Sequence, residues 1–315
     1  MKTATAWICP RMANNPMLYP IHKKDFRVRD PFIVCENGKY YLVHSNGRGV
    51  SVRVSEDLEY FSEPIPVFTP PEGFWADRDF WAPEIHRYRG KWYLFLSLKS
   101  ESRCRATQIF VSDRFCPEEG MNFVPVSDAP ATPADWECLD GTLYEENGIP
   151  YMVFCHEWLQ VGDGEICAVP LKEDLSAPAG DPKLLFRASE ATWALPAWHS
   201  DRNGRDDNLV TDGPFLHKME NGALAMLWSS GGFPAPGLPR RYVLAAAISD
   251  SGSIHGPWRQ THPLLFTEDG GHGMIFEDLC GQKRLCLHAP NSVSEHLTLF
   301  VLQEQDGVLS LSTQS

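Results

Sequence analysis

A short unit recurs five times along this chain of 315 residues, and it limits strongly how the chain can fold. Each unit opens on a short apolar run, turns at or next to a glycine and returns as a second apolar run. In the first unit the turn is Asn37-Gly38, a dipeptide typical of a two-residue β-hairpin. The units begin at Asp30, Ala82, Asp140, Asp212 and His272.

This repeat predicts a β-propeller. A single hairpin cannot bury its apolar face, so repeated hairpins bury theirs by packing on one another. Radial packing of small antiparallel sheets gives a propeller, in which strand edges are short and protected. We therefore predict an all-β fold, a five-bladed β-propeller, with residues 1–315 as a single catalytic domain. Two apolar segments at 297–302 and 307–311 are expected to form a last hairpin that closes the ring.

The starting residues of the five units are expected to meet, because the innermost strand of each blade begins near the propeller axis. Three of them are acids, Asp30, Asp140 and Asp212, and a fourth is His272. One such acid would be typical of a turn cap. Three at the same repeat position indicate a functional site, which could bind a metal or perform acid–base catalysis. Glycoside hydrolysis needs one carboxyl group kept protonated and another kept ionised.

Composition narrows the partners. The net charge is −13, from 28 basic and 41 acidic residues, which argues against nucleic acid and anionic membranes as partners. No segment approaches the ~20 apolar residues of a membrane span, and residues 1–20 lack a signal-peptide core. The nine cysteines are odd in number and include no Cys-x-x-Cys. We expect a reducing compartment, no disulfide framework and a cytoplasmic location.

Aromatic and polar side chains near the predicted funnel are candidates for sugar binding, because aromatic faces pack on the C–H surfaces of sugars. The strand alternation leaves open which of the aromatics face the core. An insertion at residues 186–207 explains the longest interval between units and is expected to overhang the funnel between blades three and four. The predicted substrate-binding residues are Phe32, Trp81, Glu84, Trp158 and Trp228.

Taken together, five motifs resemble glycoside hydrolase family 43, whose members are five-bladed propeller enzymes acting on arabinose- and xylose-containing saccharides. The motifs are Arg-Asp-Pro-Phe at 29–32, Trp-Ala-Pro-Glu-Ile at 81–85, Leu-Asp-Gly-Thr-Leu at 139–143, Thr-Asp-Gly-Pro-Phe-Leu at 211–216 and Gly-His-Gly at 271–273.

The resemblance implies a role for each of three matched positions. Asp30 would be the general base that activates water, and Asp140 would tune the pKa of the acid and orient it. His272 would lie where the family often holds Ca²⁺ or a similar ion, such as Na⁺, largely through waters. Such an ion would be structural or would tune the pKa of its neighbours, so no cofactor is required for the chemistry itself.

The sequence departs from the family at Asp212, because the family's general acid is usually a glutamate in a Glu-Gly-Pro setting. Aspartate is one methylene shorter, about 1.5 Å, and misplacement on that scale can cost about 10²-fold in rate. A shifted backbone could let Asp212 serve as the acid, which is the interpretation we favour. Glu190 or Glu157 could act instead, or the site could bind sugar without cleaving it.

The predicted function is an inverting, exo-acting glycoside hydrolase that releases L-arabinofuranose or D-xylose from oligosaccharides. In inverting enzymes the two carboxyl groups stand ~6.5–9.5 Å apart, and opposite walls of a funnel can supply that gap. The alternative is a non-catalytic carbohydrate-binding propeller with a degenerate site. A related retaining or phosphorolytic enzyme is a third hypothesis; phosphorolysis would need a basic cluster, for which Arg29 and Arg78 are the candidates.

Overall fold

The computed structural model describes residues 19–196, 203–233 and 239–312, and strands dominate this part of the chain. Its helical elements are a short α-helix, α1 (Trp158–Val161), and two 3-10 turns, Pro117–Glu119 and Ala188–Glu190. The strands in chain order are β1 (Ile21–His22), β2 (Phe32–Glu36), β3 (Lys39–Ser45), β4 (Val50–Ser55), β5 (Tyr60–Phe61), β6 (Ile65–Phe68), β7 (Arg78–Tyr88), β8 (Lys91–Lys99), β9 (Ala106–Ser112), β10 (Val124–Pro125), β11 (Cys138–Glu146), β12 (Ile149–His156), β13 (Glu165–Pro170), β14 (Lys183–Arg187), β15 (Asp212–Lys218), β16 (Leu224–Gly232), β17 (Arg241–Ser249), β18 (Trp258–Gln260), β19 (Gly271–Glu277), β20 (Lys283–Ala289), β21 (His296–Gln305) and β22 (Val308–Ser312).

These strands form five four-stranded antiparallel sheets, which are the blades of a β-propeller. Blade one contains β2, β3, β4 and β6, and the other blades are β7–β10, β11–β14, β15–β18 and β19–β22. In each blade the strands pair in chain order, so the first strand lies nearest the axis. Strand β5 leaves blade one and pairs with β1. The five-bladed prediction is therefore confirmed.

The hairpins arise from the glycine turns that the sequence repeats. Asn37 and Gly38 both have positive φ, 51° and 72°, as do Asn147 and Gly148, at 54° and 79°. Two consecutive residues with positive φ suit the right-handed twist of the flanking strands. The second strand of a blade is largely buried, and in β16 every residue is buried. It is covered on both faces because each blade packs between two neighbours.

The apolar core consists of four clusters, each lying mainly between neighbouring blades. The first packs on both sides of blade one, against blades two and five, and the others lie between blades two and three, three and four, and four and five. Trp228 is fully buried in the cluster between blades three and four. The ring is held by these interfaces, so each blade depends on both of its neighbours.

Blade five meets blade one through side chains and loop backbone. The Val28 N–H donates to the carbonyl of Glu295 at 3.1 Å, and Arg27 pairs with the Glu295 carboxylate at 2.6 Å. Cys286 contacts the Pro31 carbonyl at 3.5 Å. The predicted final hairpin forms β21 and β22, the outer half of blade five. Within the described residues, no strand is shared between the first and last blades.

The insertion at residues 186–207 begins on the outer edge of blade three and then crosses to blade four. The Leu195 N–H donates to the Gly231 carbonyl at 2.9 Å, and the Trp193 ring lies 4.7 Å from that of Trp228. Residues 197–202 lie outside the described residues, so the predicted overhang across the funnel stays a prediction. The part that is described anchors the insertion to the top of blade four.

The cysteines differ from the expectation in one respect. Cys280 is disulfide-bonded, which corrects the prediction of an entirely reduced set. Among the described residues, no helix is long and apolar enough to cross a membrane. The free thiols are Cys35, Cys104, Cys116, Cys138, Cys155, Cys167 and Cys286.

Candidate active site

A residue with a left-handed backbone lies at the start of the first strand in every blade. The strand pairing there is irregular in four of the five blades. In blades two to five the irregularity is a β-bulge, where two residues of the first strand oppose one residue of the second. Its first residue has a left-handed backbone, and in blade one the residue before Pro31 does too. The φ values are 50° for Asp30, 44° for Ala82, 57° for Asp140, 54° for Gly213 and 51° for His272.

Blade four therefore follows a different register from the one predicted. The residue equivalent to Asp30 and Asp140 is Gly213, and Asp212 lies one position earlier, paired with Ser229. The sequence alignment of the five units was wrong by one residue in this blade. Because successive strand residues project to opposite sides, Asp212 does not join the ring of bulge side chains but lies on the cleft above it.

Glycine is required at 213 by two features of the structure. Its φ of +54° is costly for residues with a Cβ atom. A Cβ here would also lie 2.7 Å from Cγ of His272. The His272 ring thus packs directly on the Gly213 backbone. The Gly213 N–H in turn donates to Oδ2 of Asp140 at 2.9 Å. The bulge of blade four shapes the site through its backbone.

His272 joins two of the predicted acids. Its Nδ1 lies 3.2 Å from Oδ1 of Asp30 and 3.7 Å from Oδ2 of Asp140. The His272 N–H donates to Oγ of Ser229 at 2.8 Å, which fixes the bulge of blade five against blade four. Burial acts to lower the pKa of His272, but the charges of Asp30, Asp140 and Asp212 outweigh it and raise the pKa above its usual value. The imidazole is therefore biased toward its charged form.

Asp30 is held in the ionised form by its surroundings. Burial would raise its pKa, but the positive charge of His272, the contact with His288 and the nearby Arg29 hold it well below its usual range. Nδ1 of His288 lies 3.3 Å from Oδ1 of Asp30, and Nε of Arg29 lies 3.8 Å from Oδ2. A carboxylate that stays ionised at any working pH has the property required of a general base.

Asp140 is buried and carries the opposite shift. Burial raises its pKa to about 6, against the positive charge of His272 and with the help of the negative charge of Asp30. Its N–H donates to Oγ of Ser97 at 2.8 Å, which ties blade three to blade two. Asp140 has little access to the cleft, so it acts on its neighbours through its charge.

Asp212 lines the open cleft and is a candidate acid. Burial, followed by the negative charge of Asp140, raises the pKa of Asp212 to about 7. The hydroxyl of Tyr242 donates to its Oδ2 at 3.1 Å. The cleft has a volume of about 940 Å³ and is also lined by Arg29, Trp158 and Arg241. A carboxyl group with this pKa can carry a proton near neutral pH and release it during a reaction.

The two alternative acids lie in different settings. Glu157 is buried and forms an ion pair with Arg105, which also contacts Asp79 at 2.7 Å. Burial raises the pKa of Glu157 to about 7, although the charge of Arg105 opposes the shift. Glu190 is exposed, and its carboxylate accepts the N–H of Arg187 at 2.9 Å in a 3-10 turn next to the outermost strand of blade three. That position corrects the expectation for Glu190, because its side chain caps its own turn.

The predicted substrate-binding aromatic residues fall into two groups, those at the cleft and those away from it. Trp158 lines the cleft, and Trp81 is 44% exposed with the guanidinium of Arg105 4.5 Å from its ring centre. Phe32 instead packs edge-on against His86 in the channel under the acids, at 5.1 Å.

Trp228 and Glu84 also fall outside the cleft. Trp228 is core, because strand alternation turns it between the blades, where its indole N–H donates to Gln260 at 3.0 Å. Glu84 is buried, and its Oε2 lies 2.7 Å from Nε2 of His86. It lies two residues beyond Ala82 along the first strand, so it faces the axial channel and not the substrate side. The predictions for Phe32, Glu84 and Trp228 as substrate contacts are therefore wrong.

The residues around His272 do not form a calcium site as they stand. No three or more His, Cys, Asp or Glu side chains within the described ranges are grouped to hold a metal. The cavity that His272 lines with Asp30 and Glu84 has a volume of about 10 Å³, space for about one water. Ca²⁺ takes about six to eight oxygen ligands. The ion expected near His272, held largely through waters, therefore stays a prediction.

Three functional candidates were not found from the sequence: Tyr242, His288 and Arg105. Tyr242 is on the third strand of blade four and His288 on the second strand of blade five. Neither belongs to the repeated unit start. Arg105 precedes β9 and carries no motif. A polar residue within a strand where all neighbours are apolar, as His288 is between Leu287 and Ala289, was the available signal.

The fold and this site define the class of the protein. A five-bladed propeller carries buried acids of opposite protonation around one axis, as a glycoside hydrolase requires. The sequence profile of glycosyl hydrolases family 43 matches residues 20–304. The chain therefore belongs to glycosyl hydrolase family 43, and the resemblance seen in the motifs is confirmed.

Several known proteins are similar over much of the chain. A solved endo-arabinase from Bacteroides thetaiotaomicron VPI-5482 is 39% identical, with a TM-score of 0.84, covering 92% of this chain and 99% of that one. An exo-1,5-α-L-arabinanase from a bovine ruminal metagenomic library shares the fold, at 19% identity and a TM-score of 0.68, covering 91% of this chain and 97% of that one.

A curated relative gives a shorter match. It is the extracellular endo-α-(1→5)-L-arabinanase 1 of Bacillus subtilis (strain 168), 23% identical over 146 residues. The match covers 42% of this chain and 44% of that protein. The aligned region therefore spans less than half of that relative's length.

Proposed function

We propose that this protein is an arabinanase that cleaves arabinofuranosyl linkages with inversion of the anomeric configuration. Asp30 is the general base, Asp212 the general acid and Asp140 the residue that tunes the acid. One observation carries the proposal: a carboxylate held ionised and a carboxyl group with a pKa of about 7 occupy the same site. That division of protonation states is what hydrolysis by inversion needs.

The base assignment rests on Asp30 and its partners. His272 and His288 approach the same oxygen, Oδ1, at 3.2 and 3.3 Å. The other oxygen, Oδ2, has among the described residues only the more distant guanidinium of Arg29, at 3.8 Å. Oδ2 is therefore the oxygen that accepts a proton from the attacking water. The two imidazoles fix the direction in which it points.

The acid assignment rests on the register shift in blade four. Asp212 lies one residue before the bulge and lines the cleft, whereas a residue in the bulge would point toward His272. Its shorter side chain is compatible with an acid role, because Tyr242 fixes one carboxyl oxygen while the carboxyl group borders the substrate cleft. Glu157 is the weaker candidate because its carboxylate is bound to Arg105.

Asp140 supports the acid by charge. When Asp140 is ionised, its negative charge opposes ionisation of Asp212, so Asp212 keeps its proton to a higher pH. The hydrogen bond from the Gly213 N–H ties the Asp140 carboxylate to the backbone of β15, the strand that carries Asp212. The bulge of blade four therefore fixes the position of Asp140 relative to Asp212.

An arabinose-containing chain is the substrate we favour, and endo cleavage is the mode. The similar protein at 39% identity is an endo-arabinase, and that likeness supports arabinose over xylose. The cleft of about 940 Å³ is at the upper end of typical ligand pockets, ~300–1,000 Å³, and suits several sugar units. We therefore propose endo cleavage in place of the exo mode expected from the sequence.

The test combines anomeric NMR with four variants. The protein is incubated with linear α-1,5-arabinan and with arabino-oligosaccharides, and the first anomer released is recorded by proton NMR. Chromatography of early products separates a ladder of oligomers, expected for endo cleavage, from monomer alone. We expect Asp30→Asn and Asp212→Asn to lose at least 10³-fold in kcat, because each removes a proton-transfer group. Glu190→Gln, an exposed acid outside the cleft, is the matched control and should retain full activity.

The outcomes separate the competing assignments. Retention of the anomeric configuration would overturn the inverting mechanism. Full activity of Asp212→Asn with loss in Glu157→Gln would move the acid role to Glu157. Release of xylose from xylo-oligosaccharides, with no action on arabinan, would overturn the substrate proposal.

A second candidate is the non-catalytic carbohydrate-binding propeller, which the aspartate at 212 favours because the family usually has glutamate there. It predicts binding of arabino-oligosaccharides by calorimetry with no products after prolonged incubation. It also predicts that Asp30→Asn leaves the affinity unchanged. Turnover that depends on Asp30 would exclude this candidate.

A further inference from the structure

Tyr242 reaches the site from a strand that carries none of the repeated motifs. It is on β17, the third strand of blade four, and is almost fully buried. Its hydroxyl donates to Oδ2 of Asp212 at 3.1 Å. Space for the ring exists because position 271 is glycine: a Cβ there would lie 2.5 Å from Cε1 of Tyr242. The Tyr242 ring thus occupies the space that a side chain at position 271 would need.

The Tyr242 ring is held from several sides. It stacks on the imidazole of His288, with ring centres 5.7 Å apart and planes inclined by 13°. The Tyr242 N–H donates to Oδ1 of Asp269 at 3.2 Å. His288 is itself fully buried, and its Nδ1 lies 3.3 Å from Asp30. The hydroxyl therefore has a fixed direction. The Tyr242 side chain contacts Asp212, the proposed acid, and also His288, which contacts Asp30, the proposed base.

The hydroxyl remains a donor at every working pH. Burial, and then the negative charge of Asp212, hold the pKa of Tyr242 well above its usual range. A protonated phenol beside a carboxyl oxygen donates to it, so that oxygen is the acceptor in the pair. The proton of a neutral Asp212 then belongs on the other oxygen, Oδ1.

We propose that Tyr242 is a positioning residue for the hydrolysis: by holding Oδ2 of Asp212, it keeps the transferable proton on Oδ1, directed toward the leaving group. The proposal rests on the proposed function, in which Asp212 is the general acid. It also gives a physical account of how an aspartate works where the family usually has a glutamate. The side chain is one methylene shorter, and the tyrosine replaces length with a fixed direction.

The test is Tyr242→Phe, which keeps the ring stack and removes one oxygen. On arabino-oligosaccharides, whose leaving group needs a proton, we expect kcat to fall about 10- to 100-fold with KM within twofold. On a dinitrophenyl glycoside of an arabino-oligosaccharide, whose leaving group needs almost no proton, the loss should shrink to less than about threefold. The alkaline limb of the kcat/KM profile should also move upward, because the ionised carboxylate loses a donor.

Tyr88→Phe is the matched control. Tyr88 is also a buried tyrosine, and its hydroxyl has no hydrogen-bond partner within the described part of the chain. It lies at the far end of β7, away from the cleft. Its variant should match the wild type in kcat, in pH profile and in leaving-group dependence. Because the Tyr88 hydroxyl has no partner to lose among the described residues, this variant controls only for the removal of an oxygen from a buried tyrosine ring.

The outcomes distinguish this proposal from the assignment of the acid. If Asp212→Asn keeps its activity on oligosaccharides, the assignment of Asp212 as the acid fails, and the role of Tyr242 fails with it, whatever Tyr242→Phe does. If Asp212→Asn is inactive but Tyr242→Phe has wild-type kcat and pH profile, the positioning role is overturned. An equal loss on both substrates overturns it too. Should Tyr242→Phe fail to fold, fluorotyrosine at 242 gives the readout: a more acidic hydroxyl should move the alkaline limb downward, and an unmoved limb would refute the proposal.

Discussion

Replacement of Gly213 by alanine tests the geometry at the centre of the site. The new Cβ would lie 2.7, 2.8 and 3.0 Å from Cγ, Cδ2 and Nδ1 of His272, so the ring must move. The backbone at φ +54° adds a cost of about 1–2 kcal/mol for any L-residue with a side chain. Overpacking of this kind typically adds about 1–3 kcal/mol. We expect Gly213→Ala to lower the free energy of unfolding by about 2–5 kcal/mol.

A matched control separates the two contributions. Gly148 has φ +79° and open space where a Cβ would go, so Gly148→Ala carries the backbone cost alone. The difference between the two variants is then the overlap with His272, about 1–3 kcal/mol. At about 2–4 °C per kcal/mol for a large domain, Gly213→Ala should melt about 2–12 °C below Gly148→Ala.

The assay is thermal unfolding by calorimetry, with activity on arabinan measured on the same samples. Because His272 contacts Asp30 and Asp140, its displacement should lower kcat/KM about 10²-fold in Gly213→Ala. Gly148→Ala should retain full activity. Equal melting temperatures with full activity in both variants would refute the reasoning, because His272 could not then pack on the Gly213 backbone.

Three further predictions concern charge. The kcat/KM should fall about tenfold per pH unit above pH 7, because Asp212, with a pKa of about 7, must be protonated, while Asp30 remains ionised throughout; a profile flat to pH 9 would contradict this. Asp140→Asn should move that alkaline limb to lower pH, since the neighbouring negative charge that holds the proton on Asp212 is gone; an upward shift in the pH profile would show that the charge argument is wrong. Treatment with EDTA should change kcat less than twofold, because the residues around His272 leave space for about one water; a tenfold loss restored by Ca²⁺ would show that the site rearranges to hold the ion.

The sequence predicted the fold well because its signals are local. Each hairpin depends on a turn of two residues, as at Asn37-Gly38, and the period of the units identifies the architecture. It also brought Asp30, Asp140 and His272 together, because the residue with a left-handed backbone repeats at the start of blades one, three and five. Local patterns of this kind are independent of distant contacts.

The parts that could not be predicted depend on register and on contacts between blades. Asp212 precedes a glycine and a proline, and nothing local shows that Gly213 and not Asp212 occupies the bulge. The error was one residue, which in a strand reverses the side. The side of the strand on which Trp228 lies could not be read from the sequence either, and the structure places it in the core. Tyr242 reaches Asp212 only across the strands of a folded blade, so no spacing in the sequence connects them.

The way the ring closes has a consequence for how activity is lost. The two ends of the ring meet between blades five and one, where hydrogen bonds, an ion pair and apolar packing join them and, within the described residues, no strand is shared. We expect the ring to open first at this junction. Asp30 lies at that junction, with His288 as its partner across it. Local opening there would separate the two before the sheets themselves come apart. Activity should therefore disappear at lower temperature than the circular dichroism signal of the strands, and hydrogen exchange should be fastest along β2 and β19. An oligosaccharide that contacts both blades should raise the temperature at which activity is lost. It should leave unchanged the temperature at which the circular dichroism signal is lost.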